Sequence, residues 1–494
     1  MLIGGLDIGT TGCKLSVYDE IGTFVFNSYQ EYSVERKNGI HEFHADTIFS
    51  AVMKVIEVAT KQHELSAIGV TSFGESFVAL DENDNVLLPS MLYTDPRGSE
   101  ECMELCARMG EERLTWITGV KPHSMYSLPK IMWIKKNLPD VYAKIHRILL
   151  MEDYIIYQLC GEAVIDYSLA ARTMALDIRS KTWSKEVFEA AGVDVSLMSQ
   201  LVPSGHVAGN LKKELAEKFG VSYSIRIVNG SHDQVAATVG AGIFESGEAM
   251  DGTGTVECVV PVFDHIPESA TLYQEGYSVV PYVFENTYVC YALSFAGGAT
   301  LKWFRDNFAK HYAGLKNAYA LLDSELSESP TGILVLPHFA GAANPYMDNG
   351  SRGAMIGLTL EHTEADVYKA LMEGVTYENM VNIEHLESFG IKPNKIYATG
   401  GGATSEVWMQ IKADILNRSV TSLEAKEVGA CGTCMLVGVG IGLYRDLYDA
   451  KQYFVKEKQT CYPDKQRAVI YQKYYSAYRK IYDAVRPIIK EIHL

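Results

Sequence analysis

Two stretches of this 494-residue chain repeat one plan, and the repeat limits what the chain can fold into. Gly5-Leu6-Asp7-Ile8-Gly9-Thr10-Thr11-Gly12-Cys13-Lys14-Leu15-Ser16-Val17 reads as an apolar strand, a tight Gly/Thr turn and a second strand. About 245 residues later, the chain from Gly247 to Val260 does the same around Gly252-Thr253-Gly254-Thr255. Each hairpin carries an acid in its first strand, Asp7 in one and Asp251 in the other. The repeat predicts two domains on one plan, and the length is sufficient for two cores. Backbone N–H groups in Gly-rich turns form anion-binding concavities, and threonine hydroxyls add donors. Two such turns facing each other across a cleft suit a polyphosphate. Asp7, amid Ile3, Leu6 and Ile8, is expensive to bury unless a metal ion or a ring of donors compensates.

Just ahead of the second hairpin, Ile225, Ile227 and Val228 read as a buried strand that ends in Asn229-Gly230-Ser231-His232-Asp233-Gln234. Ala236, Ala237, Gly240, Ala241 and Gly242 follow, small residues that suit a helix packed closely on a neighbour. Asp233, at the mouth of a strand, is a candidate general base; taken alone, a helix cap is the stronger reading. Ala67-Ile68-Gly69-Val70 predicts another buried strand, whose polar end Thr71-Ser72-Phe73-Gly74-Glu75-Ser76 is placed to face a cleft. Far downstream, Ile396-Tyr397-Ala398-Thr399 runs into Gly400-Gly401-Gly402-Ala403-Thr404-Ser405 and a helix to about Asn417. A strand, a glycine turn and a helix N-terminus together suit a nucleotide. No Gly-x-x-x-x-Gly-Lys-[Ser/Thr] occurs, and neither the Gly252 nor the Gly400 turn completes Gly-x-Gly-x-x-Gly, which argues against P-loop and dinucleotide folds. Elsewhere Asp46 is expected to cap a helix with the face Ile48, Val52, Val55 and Ala59, residues 98–224 read as largely helical, and the Tyr-, Lys- and Arg-rich C-terminal stretch reads as a surface helix.

Taken together, these motifs resemble the FGGY carbohydrate kinase family, within the actin and hexokinase ATPase superfamily. Asp7-x-Gly9-Thr10-Thr11 is similar to the family's first phosphate hairpin and His232-Asp233-Gln234 to its catalytic segment. Gly353-x-Met355-x-Gly357-Leu358, followed after seven residues by Asp366-Val367-x-x-Ala370-Leu371-Met372-Glu373, is similar to its C-terminal signature. The resemblance implies an α/β fold of two actin-like (ribonuclease-H-like) domains, residues 1–244 binding sugar and 245–494 binding nucleotide, with a nucleotide cleft between them and a helical insertion in the first. It implies an ATP-dependent kinase acting on a small linear sugar or polyol, with Mg²⁺ on Asp7 and Asp233 and with Asp233 as the base. Thr10, Thr11 and Lys14 are then expected at the terminal phosphates, Thr253 and Gly254 in the second hairpin, Gly298 along the nucleotide, and Gly401, Gly402 and Ser405 at the adenosine. Glu75, Ser76, Asp233 and Gln234 are expected at the acceptor.

The acceptor segment departs from the family's better-known versions. Glycerol kinases carry Asn-Gln-Arg-Glu and xylulokinases Gln-Met-His-Gly where this chain has Ser72-Phe73-Gly74-Glu75; Tyr93 replaces the usual Trp, and Ala171-Arg172-Thr173 replaces Ser-Gly-Thr. A ketopentose such as xylulose leads as the acceptor, with glycerol, erythritol, gluconate and deoxy-ketoses as alternatives. An actin-like ATPase without a sugar substrate and a non-catalytic sugar-binding regulator are the rivals from other classes. The net charge of −17 argues against nucleic-acid and anionic-membrane partners. No apolar run reaches membrane-spanning length and no signal-peptide layout opens the chain, so a cytoplasmic protein is expected, with a homodimer among the open oligomeric states. Nine cysteines in this length do not make a disulfide framework, and Cys431-x-x-Cys434 fits a closely packed helix using cysteine as a small apolar residue.

Overall fold

The computed structural model describes residues 1–37, 39–268, 270–425 and 427–492, in two compact units. The first unit comprises Met1–Gly242, Val279–Tyr288 and Glu427–Val455; the second comprises Ile243–Ser278, Val289–Lys426 and Lys456–Leu494.

The first unit is built on a mixed sheet. Its strands are β1 (Leu2–Ile8), β2 (Gly12–Asp19), β3 (Phe24–Glu31), β4 (Ala67–Ser72), β5 (Val207–Asn210) and β6 (Arg226–His232), in the spatial order β5-β6-β4-β1-β2-β3. β1 pairs antiparallel with β2, which sets Asp7 opposite Lys14, and parallel with β4, which sets Asp7 beside Thr71. Helix α1 (Ala45–Thr60) packs on β2 and β3, and its expected stripe of Ile48, Val52, Val55 and Ala59 is buried. Asp46, expected as its cap, lies instead inside the first turn, because His44 in extended conformation already ends the incoming chain. Between Ser99 and Phe219 the chain is mostly helices, with strands of two to four residues.

Helix α2 (Asp233–Gly240) follows β6 directly and packs against the helix Val428–Gly440. A Cβ on Gly240 would lie 1.8 Å from the Val428 carbonyl oxygen, and one on Gly432 would lie 1.9 Å from that of Ala236. The two backbones are therefore in contact, which is why both helices are written in Ala, Gly, Cys and Thr. Cys431 and Cys434 are buried on the other side of the helix Val428–Gly440, against β1 and β2, where the Cys431 thiol lies 3.2 Å from the Tyr18 hydroxyl, and the nine cysteines form no disulfide.

Three carboxyls lie buried behind the β6 strand end. Glu152 accepts a hydrogen bond from Asn229 Nδ2 at 2.9 Å, Asp153 accepts one from the Ser199 hydroxyl, and Asp166 caps a short helix through the Ser168 and Leu169 amides. Burial, then the Asp166 and Asp153 charges, push Glu152 well above the usual carboxylate range. A carboxyl raised in the fold favours stability at low pH and loses that contribution as pH rises through its folded value. Glu152→Gln should therefore raise the melting temperature at pH 8 by about 2 °C and have little effect at pH 5, read by thermal scans at both pH values.

The second unit repeats the arrangement. Its sheet contains β7 (Glu248–Thr253), β8 (Glu257–Phe263), β9 (Tyr288–Ser294), β10 (Lys395–Thr399), β11 (Ser419–Leu423) and β12 (Glu457–Cys461), running β9-β8-β7-β10-β11-β12. β7 pairs antiparallel with β8 across the Gly/Thr turn and parallel with β10, as β1 does with β2 and β4. A Thr363–Asp366 capping box opens the long helix α3 (Glu364–Ser388), and α4 (Glu406–Leu416) follows the glycine turn. Helix α5 (Lys465–Tyr478) is not the surface helix expected from composition. Its Tyr471, Tyr475 and Tyr478 are buried, and their hydroxyls donate to Glu373 at 2.9 Å, Glu384 at 2.7 Å and Glu378, all on α3. Spacings of four and three put these tyrosines on one face, and each ring buries apolar area while its hydroxyl satisfies an acid. Among the described residues, no helix is long and apolar enough to cross a membrane.

Candidate active site

Asp233 is the first residue of α2, delivered by the end of β6. The pairing of β6 with β4 shifts register between Asn229 and His232, so the strand end is re-aimed where the chemistry is expected. The His232 amide donates to the Ser168 hydroxyl at 2.9 Å, and its ring Nε2 lies 3.4 Å from Asp233 Oδ1. Burial and the Arg172 charge hold that imidazole well below its ordinary range, so it is neutral. The Asp233 side chain keeps 37 % of its surface exposed. Burial of its surroundings, then the Asp7 and Glu75 charges, push its carboxyl up to about 7, against the Gln234 amide and Arg172, which favour the ionised form. Asp7 is itself pushed up to about 6 by burial, with Lys14 opposing.

The first hairpin turn closes with the Gly9 amide donating to the Gly12 carbonyl at 3.0 Å, leaving Thr10 half-buried and Thr11 exposed. Lys14 is committed to an ion pair with Glu427 at 2.5 Å. Gln234 is half-buried in the first turn of α2. Ser76, expected at the acceptor, has no exposed surface.

Glu75 sits at a left-handed φ of 67°, which a non-glycine residue adopts only when its surroundings fix it. Two contacts do so. The Ser127 hydroxyl donates to the Glu75 carbonyl at 2.7 Å, and the Arg172 guanidinium donates to its carboxylate through Nε at 2.6 Å and through Nη2. Both side chains of the pair are buried, and Arg172 lies over the Tyr126 ring, 5.1 Å from its centroid. Sequence reading singled out Glu75 but missed its partner. The signal was there in two departures at once, an acid at position 75 and a cation at position 172.

In the second unit a cavity of about 400 Å³ brings together Thr253, Gly254, Gly298, Gly401, Gly402 and Ser405, six of the nine residues expected at the nucleotide; Thr10, Thr11 and Lys14 belong to the first unit. Leu301, Tyr319, Met372 and Trp408 supply apolar walls. The Gly298 amide donates to the Gly254 carbonyl at 2.8 Å, tying the helix Gly298–Asn307 to the hairpin, and Ser405 caps α4 through the Trp408 amide at 3.1 Å. Lys412, which sequence reading passed over, lies fully buried beside Thr253.

The domain models of the FGGY family of carbohydrate kinases match residues 2–240 (N-terminal domain) and 269–441 (C-terminal domain). Xylulose kinase of Lactococcus lactis is 29% identical over 492 residues, covering 97% of this chain and 96% of that protein. Gluconokinase of Bacillus subtilis is 28% identical over 463 residues, covering 90% and 88%. The crystal structure of ligand-bound xylulose kinase from Lactobacillus acidophilus superposes with a TM-score of 0.90 at 24% identity, covering 99% of each chain. With both halves matched and the two-domain actin-like fold shared throughout, the chain belongs to the FGGY family of carbohydrate kinases, enzymes that use ATP to phosphorylate a sugar.

Proposed function

We propose that this kinase phosphorylates a linear ketopentose, xylulose first, with Asp233 as general base. The observation that carries the reading is the placement of the Asp233 carboxyl, at a strand end and helix start, partly exposed, and held up by burial and the Asp7 and Glu75 charges. A base near the working pH gives the best product of ionised fraction and proton affinity. The sugar hydroxyl donates to the Asp233 carboxylate, its oxygen attacks the γ-phosphorus as that proton passes to Asp233, and the bond to the β-phosphate oxygen breaks to release ADP. Thr10 and Thr11, with the backbone of their turn, hold the terminal phosphates, with Lys14 nearby in its ion pair with Glu427. The cavity of the second unit takes the adenosine, its apolar walls against the base and its glycines against the ribose and α-phosphate. In this reading the N-terminal half serves the sugar and the C-terminal half the nucleotide.

Mg²⁺ fits the residues present. Two carboxyls, Asp7 and Asp233, are each held up, Asp233 in part by Asp7, and a divalent cation relieves that repulsion. Mg²⁺ usually meets one or two carboxylates and keeps several waters, and when bound here it would neutralise charge on the phosphates.

The relatives named xylulose kinase support the ketopentose, and the carboxyls that act on Asp233 argue against gluconate. A carboxylate-bearing acceptor would meet Asp7, Asp233 and Glu75, with Arg172 already bonded to Glu75. An ADP-release screen over xylulose, ribulose, glycerol, erythritol, deoxy-ketoses and gluconate tests this. Xylulose should exceed gluconate in kcat/KM by about 10²-fold or more, since an unpaired buried carboxylate costs several kcal/mol. Preference for gluconate would overturn the ketopentose reading.

A further inference from the structure

We propose that Lys412 is a positioning residue for ATP, a buried brace that fixes the second hairpin against the glycine turn. The inference rests on the nucleotide reading of the second unit's cavity. Lys412 lies on the inward stripe of α4 with Trp408, Ile411 and Ile415, and none of its surface is exposed. Its ammonium donates to Asp251 Oδ2 at 2.5 Å, to Thr253 Oγ1 at 2.7 Å and to Glu257 Oε1, which uses its three protons. It also stands 5.1 Å from the Trp408 ring centroid. Asp251 and Glu257 together hold the ammonium charged, while burial and Asp251 push the Glu257 carboxyl up.

The consequence falls on Thr253. Its hydroxyl accepts from Lys412 and donates to Glu257 Oε1 at 3.2 Å, so it is turned inward and is not the phosphate donor that the sequence suggested. The inward hydroxyl fixes the side-chain rotamer and with it the methyl group. A Cβ on Gly402 would lie 2.5 Å from Thr253 Cγ2, and one on Gly400 would lie 2.5 Å from the Thr253 carbonyl oxygen. The side chain that Lys412 grips is thus the spacer between the hairpin and the glycine turn, and both line the cavity.

The repeat explains why an acid stands here. Asp7 lies two residues before Gly9, whereas Asp251 lies directly before Gly252. On a strand, one residue of offset moves a side chain to the opposite face. Asp7 keeps some exposed surface, whereas Asp251 has none and meets a lysine. Charge is not needed to fill this space, since apolar residues of similar volume usually replace a buried ion triad at no loss of stability. What the triad adds is a fixed direction for the Thr253 hydroxyl.

The test uses the enzyme and four variants: Lys412→Met, Thr253→Val, the neutral triple Lys412→Met/Asp251→Asn/Glu257→Gln, and Gly402→Val. Lys412→Met alone leaves two buried acids without their cation and is expected to lose stability; the triple carries no charge, and Thr253→Val keeps the shape without the hydroxyl. Both of the latter should melt within a few degrees of wild type yet bind an unreactive ATP analogue about tenfold or more weakly by calorimetry, with KM for the sugar unchanged. A purely structural role would leave their nucleotide affinity alone, so a folded triple with wild-type affinity overturns the brace. Gly402→Val, which fills the cavity, separates the two claims. Wild-type affinity in that variant would overturn the cavity as the nucleotide site, and with it the role given to Lys412; weakened binding there beside wild-type affinity in the triple would overturn Lys412 alone.

Discussion

Asp233→Asn should lower kcat by about 10²–10⁴-fold while the fold and ATP binding survive. Asparagine keeps the size of the side chain and its place in the first turn of α2, but it cannot take the proton from the attacking hydroxyl. The pH profile gives a second check. The base works only when ionised, and burial with Asp7 and Glu75 holds it protonated below about 7. Mg²⁺ on Asp7 and Asp233 would favour the ionised form, so the wild-type kcat/KM for the sugar should fall about tenfold per unit on an acid limb that lies below that value. The sign for stability is opposite. A carboxyl raised in the fold stabilises below its unfolded value and loses that contribution as pH rises through 7, so the asparagine variant should melt higher than wild type only on the alkaline side. A folded variant with near wild-type turnover would remove Asp233 from the chemistry.

The parts of the site legible in the sequence are those written locally. A Gly/Thr turn between apolar strands signals itself within a dozen residues, and so does three glycines between a strand and a helix; both lie where the fold has hairpin and turn. The small-residue run after Asp233 announced a close packing partner without naming it, because the partner, Gly432, lies near the other end of the chain. The ion pairs were not legible for the same reason. Arg172 meets Glu75 across 97 residues, and Lys412 meets Asp251 across 161. Lys412 has a helix face to mark it as buried, whereas Arg172 stands just past a five-residue helix with no such mark. Lys412 shares a stripe with Trp408, Ile411 and Ile415, and Tyr471, Tyr475 and Tyr478 share one on α5; in both cases helical spacing carried information that composition hid. The one-residue offset between Asp7 and Asp251 was visible in the letters, but its meaning depends on which strand face is covered, which is a tertiary fact.

Arg172→Leu should cost about 3–5 kcal/mol of stability, because it leaves the Glu75 carboxylate buried without its partner. Glu75 cannot swing into water easily: its left-handed backbone is held by the Ser127 hydroxyl, and its side chain is almost fully covered. Glu75→Gln should be milder in stability, since Arg172 still has the Tyr126 ring and an amide oxygen to donate to. Its effect on selectivity should be larger. Removing the Glu75 charge leaves the Arg172 charge uncompensated, so gluconate should gain on xylulose in relative kcat/KM by about tenfold or more, a difference worth about 1.4 kcal/mol. The same change removes one of the charges that hold the Asp233 carboxyl up, so the acid limb of the profile should move to lower pH. The double variant Glu75→Gln/Arg172→Leu buries no charge and should recover most of the stability lost in Arg172→Leu, the coupling being read as a double-mutant cycle from denaturant melts. Recovery of the fold should not restore recognition. KM for the sugar should stay raised about tenfold in the double variant while KM for ATP stays within about twofold, because the pair acts on the acceptor and not on the nucleotide. A double variant as stable as wild type, with wild-type sugar KM and unchanged selectivity against gluconate, would reduce the Glu75–Arg172 pair to a structural contact.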